Sequence, residues 1–340
     1  MSDAPPQVEP PVLPDRYVWR EVLGTGGMGA VHRVDDTVLG RVVALKVMQA
    51  DMGDGDALRF LEEAQVAAQL EHPSIVPVYD YGLTPDGRRF FTMKEVRGRT
   101  FRREMRATLR AEAKEGRLGA RFHRLIGALH RVCEAVAYAH DRGVVHRDLK
   151  PTNVMIGAFG EVLVLDWGLA KVVGSLERDA DTEEVETVRS HDDSLQTVAG
   201  RAAGTPSYMP PEQVHGDHLL IGPPSDVWAL GVILYQCLTG HRPLSLKGRA
   251  LLDAIVGDHP IVPPNLRGSP WEVPEALAGI AMDCLQRDVH RRPANASVLV
   301  ERLAAWMDGD SRARRAADDV RRAVARGADV QRLRAEAKRL

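Results

Sequence analysis

Cysteine is scarce in this sequence: among 340 residues there are three, Cys133, Cys237 and Cys284. They lie far apart and share no spacing that would hold a metal ion. A disulfide framework is therefore excluded as the basis of the fold, and we expect three buried thiols in a reducing compartment. The sequence accordingly predicts a cytoplasmic protein.

Long apolar runs are also missing. No stretch reaches the about eighteen apolar residues that a membrane helix needs, and residues 1–14 lack the apolar core of a secretory signal. No membrane segment is therefore expected in this chain. The formal net charge of −2 gives no overall field that would attract nucleic acid. A length of 340 residues is enough for one large domain or two modest lobes.

The first half of the chain has a pattern of short strands. Five prolines within residues 1–14 predict an extended or disordered leader over 1–16. Runs rich in valine and aromatic residues then predict strands at 17–23, 30–35, 41–48, 75–81 and 90–96. Between the third and fourth strands, helical spacing predicts one helix over 56–70, with Asp56 as its N-cap.

Beyond residue 98 the pattern becomes helical. Apolar residues recur at helical spacing around 125–139, 226–238, 251–256, 275–286 and 296–307, with a short strand over 161–166. Residues 173–203 are acidic and rich in hydroxyls, which predicts a loop. Residues 307–340 predict an arginine-rich helical tail or the start of a linker. Because the tail has no aromatic side chains for base stacking, a solvated helix is favoured over a nucleic-acid or lipid contact.

A glycine-rich segment lies between the first two predicted strands. It reads Gly-Thr-Gly-Gly-Met-Gly over residues 24–29, and glycine allows a backbone to approach phosphate groups closely. A dinucleotide-binding turn would lead from a strand into a helix, whereas this segment leads into a second strand. The context therefore favours a glycine-rich hairpin that covers phosphates.

Lys46 lies within an apolar strand, in the sequence Val-Ala-Leu-Lys over residues 43–46. A buried ammonium group needs a partner, because an unpaired buried charge is costly. Nucleotide phosphates and a helix carboxylate would provide one. We favour Glu63 as that carboxylate, since it lies closer than the adjacent Glu62 to the apolar face of its helix.

The most informative segment reads His-Arg-Asp-Leu-Lys-Pro-Thr-Asn over residues 146–153, followed by Asp-Trp-Gly at 166–168. With these motifs the chain resembles the Hanks-type protein kinases, most closely the bacterial, eukaryotic-like serine/threonine branch, over residues 17–306. The resemblance implies an α+β, bilobal protein-kinase fold. A small antiparallel-sheet N-lobe with one main helix would occupy 17–96, and a larger, mainly helical C-lobe 97–306.

The resemblance also implies catalytic roles, with ATP as the phosphoryl donor and Mg²⁺ (or Mn²⁺) as the metal. Asp148 would accept or orient the proton of the substrate hydroxyl, and Lys150 would neutralise charge on the γ-phosphoryl group. Asn153 and Asp166 would hold the metal through hard oxygen ligands. Lys46 would bind the α- and β-phosphates, oriented by Glu63.

A further set of residues is implied to surround the nucleotide. Val31 and Ala44 would cover the adenine from above and Met155 from below, while Met93 would be the gatekeeper and Glu95 and Val96 the hinge. The whole ATP-contacting set is Leu23, Gly24, Thr25, Gly26, Gly27, Met28, Gly29, Val31, Ala44, Lys46, Met93, Glu95, Val96 and Met155.

Residues around the long acidic loop carry the implied regulation. Lys150 and Thr205 match the serine/threonine type, so the partners would be protein substrates with Ser or Thr. In the family, an arginine at the position of Arg147 binds a phosphate on the loop, which a guanidinium fork suits. Thr197 is the preferred phosphorylation site, ahead of Thr182, Thr187, Ser190 and Ser194, and self-association would serve autophosphorylation.

Later segments agree with the family and two motifs depart from it. Residues 204–212 resemble the end of an activation segment, Asp226 would brace the catalytic loop, and Glu212 would pair with Arg292. The departures are Trp167 where phenylalanine is usual and Pro210 where alanine is usual. A pseudokinase or ATP-binding signalling scaffold is therefore kept as the alternative, and a kinase-like small-molecule phosphotransferase is disfavoured.

Overall fold

The computed structural model describes residues 10–50, 52–172 and 206–312. Thr205 lies outside this part of the chain, as do the tail beyond 312 and the five candidate phosphorylation sites of the loop, Thr182, Thr187, Ser190, Ser194 and Thr197. Within the described residues the chain forms a sheet-based N-lobe and a helical C-lobe. The α+β, bilobal arrangement that the sequence predicts is thereby confirmed.

The N-lobe is an antiparallel sheet with one helix. Its strands run in the spatial order β1-β2-β3-β5-β4, and the helix, α1, connects β3 to β4 along the chain. The elements are β1 (Tyr17–Thr25), β2 (Gly29–Asp36), β3 (Arg41–Met48), α1 (Asp54–Gln69), β4 (Val78–Leu83) and β5 (Arg89–Lys94).

Strand β3 separates two small cores, because successive side chains of a strand point to opposite faces. Val43, Leu45 and Val47 belong to a cluster on one face together with Tyr17, Val34 and Phe90. Met48 instead packs against the α1 side, in a cluster with Phe60, Ala64 and Phe91. The apolar run of β3 is therefore explained by burial on both faces.

The predicted N-cap of α1 is wrong. Gly53 is the N-cap and makes no side-chain hydrogen bond, while Asp56 lies in the first turn. An acidic residue in that turn still interacts favourably with the helix dipole, which accounts for the sequence signal.

The prediction of one strand over 75–81 is also wrong, because this apolar run divides at Pro77. Before the proline, Ile75 forms a parallel bridge with Val164 of the C-lobe, and the Val164 amide donates to the Ser74 carbonyl at 2.8 Å. After it, β4 begins at Val78 and pairs with β5. The two halves of this apolar run thus pair with different strands. The contact of the first half, between Ile75 and Val164, joins the N-lobe to the C-lobe.

The C-lobe contains the remaining elements, including a helix, α2, that the sequence pattern does not locate. In chain order they are β6 (Gly98–Thr100), α2 (Phe101–Glu115), α3 (Ala120–Asp141), β7 (Val144–Val145), β8 (Val154–Gly157), β9 (Val162–Val164), β10 (Lys171–Val172), α4 (Pro211–His215), α5 (Pro223–Thr239), α6 (Gly248–Val256), α7 (Glu275–Cys284) and α8, helical over 296–312. Gly143, with φ of 75°, follows α3.

Helix α5 runs through the middle of the C-lobe core. All its side chains from Ser225 to Thr239 are buried, so the helix faces the protein interior on every side. A Cβ added at Gly231 would lie 2.4 Å from Cβ of Cys284, which shows how closely α5 and α7 approach. The three cysteines are buried and unbridged, as predicted, and burial raises the pKa of each thiol.

A buried ion pair joins the start of α4 to the segment after α7. Both terminal nitrogens of Arg292 donate to Glu212 at 2.8 Å, and Ser225 also donates to this carboxylate. The side chains of Arg292 and Glu212 are 0% and 3% exposed. The pairing inferred from the sequence is confirmed. Among the helices of the described residues, none combines the length and apolar character required to cross a bilayer.

Candidate active site

One face of the N-lobe sheet lines the cleft between the lobes. Directly opposed residues of antiparallel strands project from the same face, and so do residues two apart along a strand. Val31 is opposite Lys46, and Ala44, two residues earlier than Lys46, is opposite Met93. The register therefore gathers Val31, Ala44, Lys46 and Met93 on one surface.

The glycine-rich segment forms the turn between β1 and β2, as the sequence context predicts. The Gly26 amide donates to the Gly29 carbonyl at 2.8 Å, and the Gln49 amide donates to Met28 at 3.3 Å. At Gly29 a Cβ would lie 2.2 Å from the Val47 carbonyl oxygen, so only glycine permits this approach of β2 to β3. Leu23 at the end of this hairpin is 42% exposed, which leaves its side chain available to a ligand.

Lys46 reaches from β3 to α1 and donates to both carboxylate oxygens of Glu63, at 2.5 and 2.7 Å. The Lys46 ammonium also lies over the rings of Phe60 and Phe91, at 5.8 and 5.6 Å from their centroids. Burial raises the pKa of Glu63, although the charge of Lys46 opposes this rise. Of the two glutamates considered from the sequence, Glu63 is the one that accepts from Lys46.

Glu63 also brings the Asp-Trp-Gly segment close to Lys46. A Cβ on Gly168 would lie 2.8 Å from Oε2 of Glu63 and 3.6 Å from Oδ1 of Asp166. The Asp166 carboxylate is therefore a near neighbour of the Lys46–Glu63 pair, and its charge adds to the rise in the pKa of Glu63. Gly168 must be glycine here, because any side chain would displace the glutamate.

The loop between β7 and β8 carries the three predicted polar residues of the C-lobe side. Lys150 donates to Oδ2 of Asp148, and the Asn153 amide nitrogen donates to the Asp148 carbonyl at 3.1 Å. The same nitrogen lies 3.3 Å from Asp148 Oδ2. Since its nitrogen faces Asp148, the amide oxygen of Asn153 points elsewhere and is available to a cation.

Backbone contacts bring Asn153 towards Asp166. The amide of Leu165, the residue before Asp166, donates to the Asn153 carbonyl at 2.8 Å. Asn153 and Asp166 together offer an amide oxygen and a carboxylate, which suit a hard divalent cation that takes its other ligands from phosphate and water. Within the described residues there is no cluster of three or more His, Cys, Asp or Glu that could hold a metal.

Asp226 of α5 holds the start of the loop between β7 and β8, residues 146–153. Its carboxylate accepts the backbone amides of His146 and Arg147, each at 2.8 Å, and lies 2.9 Å from Nε2 of His140. Burial alone would raise the pKa of Asp226, but the hydrogen bond and charge of His140 bring it below its ordinary value. An ionised aspartate is thus fixed beneath the loop by the buried helix α5.

Two residues of the site have left-handed backbone conformations. Arg147 has φ of 67° and Asp166 has φ of 66°, and each side chain has a Cβ that makes this region unfavourable. Such residues cost about 1–3 kcal/mol and persist where the surrounding structure holds them. For Arg147 the restraints are Asp226, which accepts its amide, and Gln213, which donates to its carbonyl at 3.1 Å.

Trp167 occupies the position where the family usually has phenylalanine. Its side chain is 1% exposed and packs against the ring of His146 at 4.6 Å between centroids. Indole Nε1 is buried and has no hydrogen-bond partner in the part of the chain that the structure describes. The larger ring is therefore accommodated in the core, with the flanking Asp166 beside Glu63.

The segment after β5 is braced by a contact that sequence reasoning missed. Nε of Arg33 on β2 donates to Glu95 at 2.7 Å, and Arg33 also pairs with Glu21 on β1. Glu95 accepts from Arg97 as well, and its side chain is 6% exposed. Further along the chain, Thr100 of β6 pairs with Met155 of β8. Val96, which follows Glu95 in the chain, is half-buried.

Lys171 is a second residue that the sequence did not indicate. Its strand pairs with β7, and its ammonium donates to the carbonyls of His218 and Ile221 at 2.8 and 3.2 Å. Burial lowers the pKa of Lys171, and the positive charge of Arg147 lowers it further. Two cations therefore lie near each other next to the catalytic loop.

A family model of known proteins matches most of the chain. The model is described as the protein kinase domain, and it matches residues 17–303. It spans both lobes and all the predicted site residues of the described part.

Curated relatives agree with this match. The chain is 35% identical over 322 residues to serine/threonine-protein kinase PknD of Protochlamydia amoebophila, covering 88% of this chain and 31% of the relative. Proteins of the same name from Chlamydia pneumoniae and Chlamydia muridarum are 34% and 35% identical, each over 87% of this chain and about a third of the relative. The chain thus spans about a third of the length of the relatives that it matches.

Proposed function

We propose, since this chain belongs to the protein kinase family, that it is an ATP-dependent serine/threonine kinase acting on proteins. One observation carries the proposal. The Lys46–Glu63 pair lies against the Asp-Trp-Gly segment, and the backbone joins that segment to Asn153, whose amide donates to Asp148. The groups that a phosphoryl transfer needs therefore converge on one cleft.

The proposed reaction joins a substrate hydroxyl to the γ-phosphoryl group of ATP. The hydroxyl oxygen forms a bond to the γ-phosphorus as the bond from that phosphorus to the bridging β–γ oxygen breaks, and ADP leaves. Asp148 orients the hydroxyl and receives its proton. Lys150, which already contacts Asp148, lies where its ammonium would stabilise negative charge on the transferred group.

Magnesium is the proposed metal, with manganese as a substitute. A bound cation would neutralise phosphate charge as negative charge develops on the leaving oxygen. Asn153 Oδ1 and the Asp166 carboxylate are the proposed protein ligands. The orientation of the Asn153 amide and the closeness of Asp166 to Lys46 support this assignment.

ATP is proposed to bind beneath the cleft face of the N-lobe sheet. The adenine would lie between Val31 and Ala44 above and Met155 below, and its hydrogen bonds would go to the backbone of the hinge at Glu95 and Val96. The register that gathers the upper residues on one face and the buried state of Ala44 support this site. Lys46 would hold the phosphates and the glycine-rich hairpin would cover them.

Regulation by phosphorylation is proposed from the surroundings of Arg147. A phosphate on the loop, with Thr197 as the preferred acceptor and Thr205 next to the substrate, would add charge of about −1.5 to −2 that a guanidinium binds well. The proximity of Lys171 to Arg147 supports an anion at this position. Transfer between two copies requires self-association.

The three unbridged thiols support a cytoplasmic site of action.

The decisive experiment measures phosphate transfer from Mg-ATP by the full chain beside Asp148→Asn. The variant is expected to lose about 10²–10⁴-fold in rate, since it lacks the proton acceptor. Asp258→Asn, at an exposed position, is the matched control and should keep full activity. ATP-dependent thermal stabilisation without any transfer in the wild type would instead establish the pseudokinase alternative. Equal rates in wild type and Asp148→Asn would remove Asp148 from the mechanism.

A further inference from the structure

The chain around α2 is strongly basic. Between residues 97 and 124 there are ten arginine or lysine residues and three glutamates, in a protein whose overall charge is −2. The excess is therefore local, and it coincides with the helix that the apolar pattern does not reveal.

The cations of α2 form an exposed stripe. Arg102, Arg106, Arg110 and Lys114 are spaced by four residues, so they follow one another along one side of the helix. All four are exposed, and none forms an ion pair within the described part of the chain. We call these four residues the α2 stripe. Among the neighbouring cations, Arg97 pairs with Glu95, Arg99 with Glu104 and Arg121 with Glu115.

Helix α2 contains acids, but they do not neutralise the stripe. Glu112 is 1% exposed and accepts the amides of Gly119 and Phe122 at 2.8 and 3.1 Å, which fixes the start of α3. Like charges four residues apart destabilise a helix in isolation. The helix is held instead by its buried side, where Phe101, Met105 and Leu109 recur at the same spacing. The stripe is thus a charged surface that local folding does not require.

The stripe begins beside the catalytic loop. The Arg102 amide donates to the Pro151 carbonyl at 2.9 Å, and Pro151 is three residues from Asp148. Arg102 also approaches the segment after residue 205. Burial raises the pKa of Tyr208, and the positive charges of Arg242 and Arg102 oppose that rise. From Arg102 the stripe continues along α2 to Lys114.

An open hollow of about 360 Å³ lies at the far end of the stripe. It is lined by Ala107, Arg110, Ala111, Lys114, Glu115 and Arg121. Three of these six residues are cations and two are alanines, so the hollow can receive a carboxylate side chain and its methylene groups.

We propose that the α2 stripe binds an acidic segment of the protein substrate and thereby selects substrates with carboxylates on one side of the phosphorylated residue. The inference rests on the proposed kinase function. From Arg102 to Lys114 the stripe measures about 18 Å along the helix, at about 1.5 Å per residue. An extended peptide rises about 3.3 Å per residue, so about five or six residues would lie along it.

An acidic peptide fits this surface better than nucleic acid or a lipid bilayer does. No aromatic side chain lies on the stripe to stack on bases, and the stripe is continuous with the catalytic cleft. The sequence itself contains a substrate of this kind. Residues 175–200 hold eight acids, two arginines and six serines or threonines, and a second copy would present them in autophosphorylation.

Binding is measured first, in the absence of catalysis. A labelled peptide of residues 175–200 is titrated with full-length Asp148→Asn and followed by fluorescence anisotropy. Adding Arg106→Gln, Arg110→Gln and Lys114→Gln should weaken binding about tenfold and reduce its dependence on salt, since three screened charge contacts are lost. Adding Arg249→Gln and Arg291→Gln, at exposed sites outside α2, is the control and should leave the affinity unchanged. Equal affinities of Asp148→Asn with and without the three α2 substitutions would overturn the proposal.

Activity separates this inference from the proposed function. The wild type is assayed on the 175–200 peptide and on the same peptide with all its acids changed to amides. Preference for the acidic peptide, lost in the triple variant through KM with little change in kcat, is the expected result. Transfer to both peptides at equal kcat/KM would refute substrate selection while leaving the kinase assignment intact. No transfer to either peptide or to any protein would instead count against the kinase assignment. Competition by RNA or anionic vesicles but not by the acidic peptide would also overturn the proposal.

Discussion

The two lobes are held together in different ways. The N-lobe sheet has two small cores, one of six buried residues and one of four. The C-lobe has one continuous core that extends from the end of α1 to α8 and includes Trp167. Even Val66 and Leu70 of the N-lobe helix belong to this larger core. Apolar burial, the main stabilising term in folding, is therefore concentrated below the cleft.

Polar contacts follow the same division. In the N-lobe, ion pairs such as Arg33–Glu95 and Arg20–Asp35 include a partly exposed partner and connect neighbouring strands or the segment after β5. In the C-lobe, Arg292–Glu212 and His140–Asp226 are sequestered, with each partner at most 3% exposed. Exposed pairs adjust at small cost, whereas a buried pair cannot lose one partner cheaply. A rigid platform therefore carries the loop of Asp148, and a more compliant sheet carries Lys46.

The largest difference is expected from the buried pair of the C-lobe. Arg292→Met leaves the Glu212 carboxylate buried without its partner and should lower the free energy of unfolding by about 3–5 kcal/mol. Its neighbour Arg291, whose side chain is 76% exposed, is the matched control, and Arg291→Met should change the free energy by less than about 1 kcal/mol. Denaturant unfolding of both variants measures the difference. Similar values would show that the platform does not depend on sequestered charge.

A second difference concerns the contact between α5 and α7. Gly231→Ala places a methyl group against Cβ of Cys284 and should destabilise the protein by about 1–3 kcal/mol through overpacking. Gly279→Ala, on the exposed side of α7 with open space around it, should instead be neutral or stabilise by up to about 1 kcal/mol. Thermal unfolding of the two variants tests the prediction. A stable Gly231→Ala protein would mean that the C-lobe core can yield.

Acid should affect the lobes in sequence. The pKa of Asp226 is lowered in the folded state, so its carboxylate stabilises the fold above the unfolded value of about 3.9, and this contribution is lost as the pH falls through the folded pKa. The pKa of Glu63 is raised, so Glu63 takes up its proton at higher pH and its attraction for Lys46 weakens first.

Unfolding curves from pH 7 to pH 3 should therefore show Asp226→Asn less stable than the wild type at neutral pH, with the difference shrinking as the pH falls. Carboxylate titration by NMR should find the Glu63 transition above that of Asp226. The reverse order would contradict the assignment of the two environments.

The smallest effect on stability is expected in the hinge brace. Arg33→Gln should change the free energy of unfolding by less than about 1 kcal/mol, as should Arg20→Gln. The two variants should differ in function, because Arg33, unlike Arg20, contacts Glu95 of the proposed hinge. We expect KM for ATP to rise about fivefold in Arg33→Gln and to stay unchanged in Arg20→Gln. Equal KM values would show that the hinge holds its position without Arg33.

Sequence reasoning succeeds where one residue type has one possible partner class. A lysine inside an apolar strand needed an anionic partner, and Glu63 provides one. The glycine-rich segment led into a strand, and the structure has a hairpin there. Motif order located Asp148, Asn153 and Asp166, while the periods of 2 and 3.6 residues gave the sheet lobe and most helices. The catalytic roles of Asp148, Asn153 and Asp166 remain predictions.

It fails where one local pattern serves two partners or where a contact spans distant residues. The apolar run around Pro77 looks continuous, yet its two halves pair with different lobes. Helix α2 was not located because its exposed arginines outnumber its three buried apolar residues. Arg33 and Glu95 are 62 residues apart, and no spacing rule connects them. Such contacts between residues distant in sequence can be identified only once the fold is known.

The left-handed backbone at Arg147 and Asp166 has a consequence for attempts to make this protein more heat-resistant. Glycine adopts that conformation without penalty, so a screen that rewards survival of heating alone should enrich Arg147→Gly and Asp166→Gly. Both changes would delete a side chain of the site. Thermal stability and the proposed catalytic activity are therefore expected to compete at these two positions. A mutant library that keeps both residues fixed avoids this conflict.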